Sequence, residues 1–258
     1  MSTAAIDERL ARFGAIHRAA VRAEWAAAVS AGVEVHVRDD GAMLIGAAPN
    51  VSSTMFNRAL GLAEQPDRIG EAKAFFAEHG VAGEIVLDPA RLPPGVEPRI
   101  RLDAYEAAPL DVRPARVDGF ASRLIDAGEV AGWMELTIDG NEPSPEVAAI
   151  WRVMAPAMAA TPGAHLLVGE LDGRPCAAAS LLVTGDAGWM SWASVVRADR
   201  GRGIQRAMIA DRARLASEAA CTVVAAWALA GAHSSVNLAG SGFERIGQRA
   251  AVAAASLR

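Results

Sequence analysis

The chain has 258 residues, 52% hydrophobic and 21% charged, with a formal net charge of −5 at pH 7. That composition supplies a sizeable core, excludes global disorder and argues against nucleic acid as a partner. Two cysteines, Cys176 and Cys221, make no disulfide framework. Both fall in apolar runs and read as buried thiols. No apolar run reaches the ~18 residues of a membrane span, and the N-terminal stretch is charged and helical rather than a signal peptide. A soluble cytoplasmic protein is therefore expected.

In chain order, residues 4–31 read as a helix with Ile6, Leu10, Phe13, His17, Val21 and Trp25 on one face, His17 as part of a packed core edge. Residues 33–37 and 42–47 flank Arg38-Asp39-Asp40-Gly41, a hairpin signal. Residues 52–62 are expected as a short helix carrying Asn57 and Arg58. A second helix opens at Pro66 or Asp67, carries Ile69, Ala72, Phe75 and Phe76, and closes at Gly80 before a strand over 83–87. Residues 90–98, with Pro93-Pro94-Gly95, form a turn-rich break. Strands over 99–104 and 107–114 follow, and the domain boundary is placed near Pro109, giving domains 1–108 and 109–258.

In the second half, residues 117–127 read as helical and 130–138 as extended. A helix over 144–160 starts at Ser144-Pro145. Strands over 165–171, 174–183 and 188–196 are joined at Asp172-Gly173 and Gly185-Asp186 into a meander. A helix over 204–219 turns Ile204, Met208 and Leu215 to one face and Arg206, Arg212 and Glu218 away from it. A strand over 222–229, a short helix over 234–240 and a last strand over 243–251 complete the chain.

The stretch with chemical content is Arg200-Gly201-Arg202-Gly203-Ile204-Gln205. A strand feeding a glycine turn at a helix N-terminus presents backbone N–H groups to a phosphate. The glycines keep side chains out of the way. A dinucleotide loop is a poor match: Arg206 occupies its sixth position, and the next strand carries no acid. A P-loop fails because no Gly-Lys-Ser/Thr follows.

The remaining pattern resembles the GCN5-related N-acetyltransferase family. Its signature, Gln/Arg-x-x-Gly-x-Gly/Ala after a strand and opening a helix, matches 200–205 except that Gln205 replaces the last small residue. Ser234-Ser235-Val236-Asn237-Leu238-Ala239-Gly240-Ser241-Gly242-Phe243 resembles the family's second cofactor element. The resemblance covers roughly residues 112–252. It implies an α/β protein with a mixed sheet and an acyl-coenzyme-A N-acyltransferase fold in the C-terminal half. The helix, glycine, strand order of the N-terminal half suggests a degenerate copy of that fold, without the loop.

The resemblance further implies acetyl-coenzyme A as co-substrate. Its diphosphate would lie on Arg200, Gly201, Arg202, Gly203, Ile204 and Gln205, and its pantetheine arm on the backbone of Val195 and Val196. Asn237 would be a further contact, with Ser234 and Ser235 near it. The implied reaction is direct acetyl transfer to an amine of a small molecule or peptide. Glu135 and Glu170 are candidates for the base, ahead of His165 and His233. Family members often place a tyrosine acid where this chain has Leu238, and the only tyrosine, Tyr105, is remote in sequence. That absence favours an alternative, an acyl-coenzyme-A-binding or regulatory protein without turnover. Trp133, Trp151, Trp189 and Trp192 read either as core or as an aromatic acceptor pocket. His and Cys spacing offers no metal site. The expected partners are the amine acceptor and, in solution, a second copy of the chain; neither nucleic acid nor a membrane is expected.

Overall fold

A computed structural model describes residues 3–257. In chain order the regular elements are α1 (Thr3–Ser30), β1 (His36–Asp39), β2 (Leu44–Ala47), β3 (Arg58–Leu60), α2 (Ile69–Glu78), β4 (Glu84–Leu87) and β5 (Ile100–Ala107). Then follow β6 (Phe120–Leu124), α3 (Val130–Asn141), α4 (Pro145–Ala159), β7 (Ala164–Leu171), β8 (Arg174–Thr184), β9 (Ala187–Val195), α5 (Ile204–Glu218), β10 (Val223–Leu229), α6 (His233–Gly240) and β11 (Glu244–Ala253). None of the described helices is long and apolar enough to cross a membrane.

The chain divides into two compact units. The first holds the described residues through Ala104, Ala228–Ala230 and those from Ile246 onward; the second holds Tyr105–Trp227 and Gly231–Arg245. The greater part of the last strand, from Ile246 onward, falls in the first unit. Ala250–Ala253 pair with Leu87–Glu84 of β4, an edge that would otherwise be left open.

In the first unit, β1 and β2 pair antiparallel, as do β2 and β3, while β3 and β4 run parallel with α2 as the crossover. In the second unit, β7, β8 and β9 form an antiparallel meander, β6 pairs antiparallel with β7 after a connection through α3 and α4, and β9 and β10 run parallel with α5 as the crossover. The two halves thus repeat one order: antiparallel strands, then a parallel pair closed over a helix. The first unit buries Met43, Ile45, Leu62, Phe75, Phe76 and Ile85. The second buries Leu167, Cys176, Ala179, Ile204 and Met208 between sheet and helix.

Four expectations differ. Residues 52–62 are not helical: Asn57, buried, accepts from the Ala48 N–H at 2.6 Å and donates to the Val51 carbonyl at 2.7 Å. That pins a loop and frees Arg58–Leu60 to pair as β3. Residues 117–127 hold strand β6, whose Phe120 lies against the space left by Gly169 in a neighbouring strand. Residues 130–138 belong to helix α3. A capping box from Asp126 and Glu129 starts the chain into it, and Val130, Trp133, Met134 and Thr137 give it a buried face of helical period. The expected pair of strands near Pro109 is the single strand β5, ended by a 3-10 turn over Pro109–Asp111.

His17 sits on α1 in the core, 6% exposed. Burial, and then the charges of Arg58, Arg18 and Arg249, hold its pKa well below 6.5. The unfolded chain therefore binds a proton near pH 6.5 that the folded chain refuses, so stability is lost as pH falls below that value. We expect the unfolding free energy to drop by up to about 1.4 kcal/mol per pH unit there from this group. His17→Leu should flatten that dependence in denaturant titrations between pH 7 and pH 5. An unchanged slope would show that other groups carry it.

Candidate functional site

The second unit's crossover begins where β9 leaves its neighbours. β9 pairs with β10 at only three positions, Ala187, Gly188 and Trp189 opposite Val223, Val224 and Ala225. It stays paired with β8 as far as Val195. The β9/β10 ladder thus opens while the β8/β9 ladder continues. An extra residue in β9 accompanies the change: Ala178 and Ser180 of β8 face Ser194 and Ser191, so three steps on β9 meet two on β8. Trp192 lies inside this bulge with φ +51°. A left-handed backbone at a bulky residue costs about 1–3 kcal/mol and persists only where its surroundings enforce it.

Arg212 is part of those surroundings. The sequence places it on the exposed side of α5, yet it is 2% exposed. Its guanidinium donates to the carbonyls of Met208 at 3.1 Å, Ser180 at 3.3 Å and Ser191 at 3.5 Å. Two of these carbonyls flank the bulge. Burial lowers its pKa to about 10, which leaves it charged at neutral pH.

After β9, a 3-10 turn over Arg197–Asp199 leads into the loop. Gly201 and Gly203 both adopt left-handed backbone, φ +81° and +84°, and space opens where a Cβ of Gly201 would stand. Gly203 is the N-cap of α5 and no side chain caps the helix, so its first N–H groups await an acceptor. Asp199 is buried and accepts from Arg174 at 2.9 and 3.1 Å, with Arg202 at 3.9 Å. The only carboxylate within the loop is therefore matched by arginines. On α6, Asn237 donates to the Gln205 side chain at 2.6 Å, and Arg206 donates to the Gly240 carbonyl at 3.1 Å. The glutamine at the small-residue position thus locks α6 against the first turn of α5. The matching crossover of the first unit has no such loop. There a Cβ on Gly61 would meet the Ala42 carbonyl oxygen at 2.1 Å, and the nearby Glu64 carboxylate accepts from Arg249.

Other expected residues sit differently. Val196 donates its N–H to Cys176 at 2.9 Å and accepts from Asp199 at 3.0 Å, so both backbone groups are spent within the fold. Val195, next along an alternating strand, turns away from β8. Its carbonyl accepts from Arg200 at 3.1 Å, and Arg200 also reaches the Gly140 carbonyl at 2.8 Å. Glu135 stands on α3, not on a strand, and forms a two-point pair with Arg152 at 2.6 and 2.9 Å. That pairing lowers its pKa, the wrong direction for a base. It lines an open groove of about 540 Å³ with Trp133, Asp139, Val168 and Pro175, none of them a loop residue. Glu170 is on β7, beyond β8 from the β9/β10 opening, and accepts from Arg123 at 3.1 and 3.2 Å. His165 also lies on β7, and His233 begins α6.

Leu238 is buried on α6. One turn earlier on that helix, Ser235 meets the Tyr105 hydroxyl at 2.6 Å. The only tyrosine thus comes back to the helix from β5, a contact of 130 residues' separation that no local pattern announces. Burial raises the pKa of both cysteine thiols, leaving them inert. No group of metal ligands occurs among the described residues.

No family model and no curated protein sequence matches the chain. Solved structures do. A GCN5-related N-acetyltransferase from Kribbella flavida aligns over 92% of this chain and 94% of its own, with TM-score 0.63 and 14% identity. One from Sphaerobacter thermophilus aligns over 83% and 81%, with TM-score 0.61 and 14% identity. A tandem GNAT protein from the clavulanic acid biosynthesis pathway aligns over 84% and 81%, with TM-score 0.55 and 15% identity. The chain has the fold of the GCN5-related N-acetyltransferases. Coverage of 84% against the tandem protein cannot be confined to one half, in keeping with the strand order that the two units repeat.

Arg212→Leu should remove the guanidinium from the bulge carbonyls. We expect a loss of about 2–4 kcal/mol in unfolding free energy, measured by denaturant titration. A loss below about 0.5 kcal/mol would show that the bulge holds without it.

Proposed function

We propose that the chain is an N-acyltransferase that moves an acetyl group from acetyl-coenzyme A directly to an amine. The observation that carries this is the loop: two left-handed glycines ahead of an uncapped helix, at the point where β9 leaves β10. The residues fit a diphosphate, since Gly201 borders open space, no side chain caps the first turn of α5, and Asp199, the loop's carboxylate, is already held by arginines. Asn237 acts here by fixing Gln205. Val195 and the residues before it offer a strand edge to an extended arm once the Arg200 side chain moves aside. Val196 offers none.

The cofactor supplies an activated thioester, and in the transfer a C–N bond forms as the C–S bond breaks. The amine must be neutral and loses one proton, which passes through solvent to the departing thiolate. Neither Glu135 nor Glu170 is placed to take it. A thiolate is a good enough leaving group to depart unprotonated. The chain's own contribution is then positioning and the exclusion of water. An acyl-coenzyme-A-binding protein without turnover is the second reading, favoured by the apolar Leu238 and by the ion pairs on both glutamates.

Release of free thiol from acetyl-coenzyme A across a panel of amines separates the two. Turnover should rise tenfold per pH unit up to the pKa of the amine used, without a falling limb, and should move with that pKa when the amine is changed. Binding of acetyl-coenzyme A without thiol release across the panel would establish the second reading. Gly203→Asp should abolish coenzyme A binding in calorimetric titration, while Gly203→Ala, which carries the same backbone strain without the charge, should retain most of it. Unchanged affinity in Gly203→Asp would remove the loop from the site.

A further inference from the structure

The open groove of about 540 Å³ that Glu135 borders has no part in the reading above. It follows one stripe of α3. Gly128 lies just before the helix, and Gly132, Leu136 and Asp139 recur at helical spacing. At 1.5 Å per residue the stripe is roughly 16 Å long. Ile125, Val168 and Pro175 add apolar surface from beside the helix. Trp133 spends its indole N–H on the carbonyls of Leu167 at 3.1 Å and Ala179 at 3.3 Å, and so offers the groove only its ring.

Two glycines of α3 stand there for different reasons. A Cβ on Gly140 would meet the Ser194 Cβ at 2.4 Å, so packing against β9 demands a glycine. A Cβ on Gly132 would meet nothing within 4 Å, and its backbone has no positive φ. Glycine weakens a helix relative to alanine, and nothing in the packing requires one at 132. What the missing side chain does is leave the groove open. The acids of the groove also differ. Glu129 is held by Arg123 at 2.8 Å and Glu135 by Arg152 at 2.6 Å. Asp139 is exposed and holds no ion pair among the described residues. It marks the end of the groove nearest β9: the Leu136 carbonyl accepts from Ser194 at 3.0 Å, and Gly140 lies against Ser194 and the Val195 nitrogen. An apolar trough with one unmatched carboxylate at its end complements an extended apolar chain with one cationic head.

We propose that this groove binds a primary amine at the end of an extended apolar chain, with the ammonium group at Asp139 and the chain lying past Gly132. Binding in the groove needs no cofactor. That the cationic head is a primary amine, and the ligand therefore the acceptor, rests on the acyltransferase reading above. Asp139 is a positioning residue: it brings the amine to the end of β9 where the strand edge at Val195 would take the cofactor arm, and it has no part in the bond changes. A polyamine is disfavoured, because its further charges would lie on apolar surface while Glu129 and Glu135 are already matched.

The test is calorimetric titration of the full chain with n-octylamine, which has chain and charge, n-octanol, which has the chain alone, and ethylamine, which has the charge alone. Octylamine should bind about tenfold more tightly than octanol, and ethylamine should not bind. Asp139→Asn should cost octylamine about tenfold and leave octanol within about twofold. Gly132→Leu puts a side chain into the groove. It should abolish binding of octylamine and octanol while unfolding in denaturant no earlier than the parent chain, and the smaller Gly132→Ala should keep most of the binding. Equal binding of octylamine and octanol, an Asp139→Asn variant with unchanged selectivity, or a folded Gly132→Leu variant that still binds octylamine would each overturn the proposal. Coenzyme A binding and thiol release from acetyl-coenzyme A are read in the same samples. Groove-dependent amine binding without coenzyme A binding defeats the acyltransferase reading alone. Thiol release with octylamine that Gly132→Leu leaves untouched defeats the groove alone.

Discussion

The second unit turns on a conflict that β9 must resolve. It has to keep its ladder with β8 and abandon β10 within a few residues. A regular strand cannot do this without leaving carbonyl groups unpaired. The fold inserts one residue at Trp192 and brings the Arg212 guanidinium from α5 to the carbonyls of Ser180 and Ser191. Burying an arginine in this way is tolerable because its donors meet carbonyl oxygens, each a good acceptor for a charged group. The opening between β9 and β10 and the position of the exposed glycine loop both follow from that arrangement.

The two halves show what the arrangement adds. The first unit repeats the strand order and the helical crossover, so the fold does not need the bulge or the loop. In the first unit's crossover, the Ala42 backbone closes on Gly61, and Glu64 lies nearby, held by Arg249. A carboxylate beside a crowded turn is the opposite of an anion cradle. The same architecture thus supports an open, amide-rich turn in one half and a filled, acidic one in the other. The difference resides in a handful of side chains.

Much of this was legible in the sequence because local rules govern it. The meander from β7 to β9 announces itself through Asp172-Gly173 and Gly185-Asp186, and the loop through Gly201 and Gly203. The failures are also physical. Residues 52–62 have helical composition, but Asn57 satisfies two backbone groups nine and six residues away and holds a loop. Residues 130–138 are apolar enough for a strand, and only the capping box at Asp126 and Glu129 decides for a helix. Arg212 reads as solvated from helical periodicity, because its acceptors lie on strands far away in sequence. Tyr105 and Ser235 meet for the same reason: their contact is a product of tertiary fold alone.

The candidate bases fail in a way that bears on mechanism. A carboxylate becomes a useful base at neutral pH when burial or a like charge raises its pKa. Glu135 is exposed and held by Arg152, and that pairing lowers its pKa. Glu170 sits two strands away and is held by Arg123. Both carboxylates are held by arginines, so the proposed transfer relies on placement of the two reactants. Placement demands a rigid platform. Beside the β9 bulge two indoles, Trp151 and Trp192, are packed edge to face, the second in a strained backbone. The strain at Trp192 is the local cost of the inserted residue that lets β9 keep its ladder with β8 while it leaves β10.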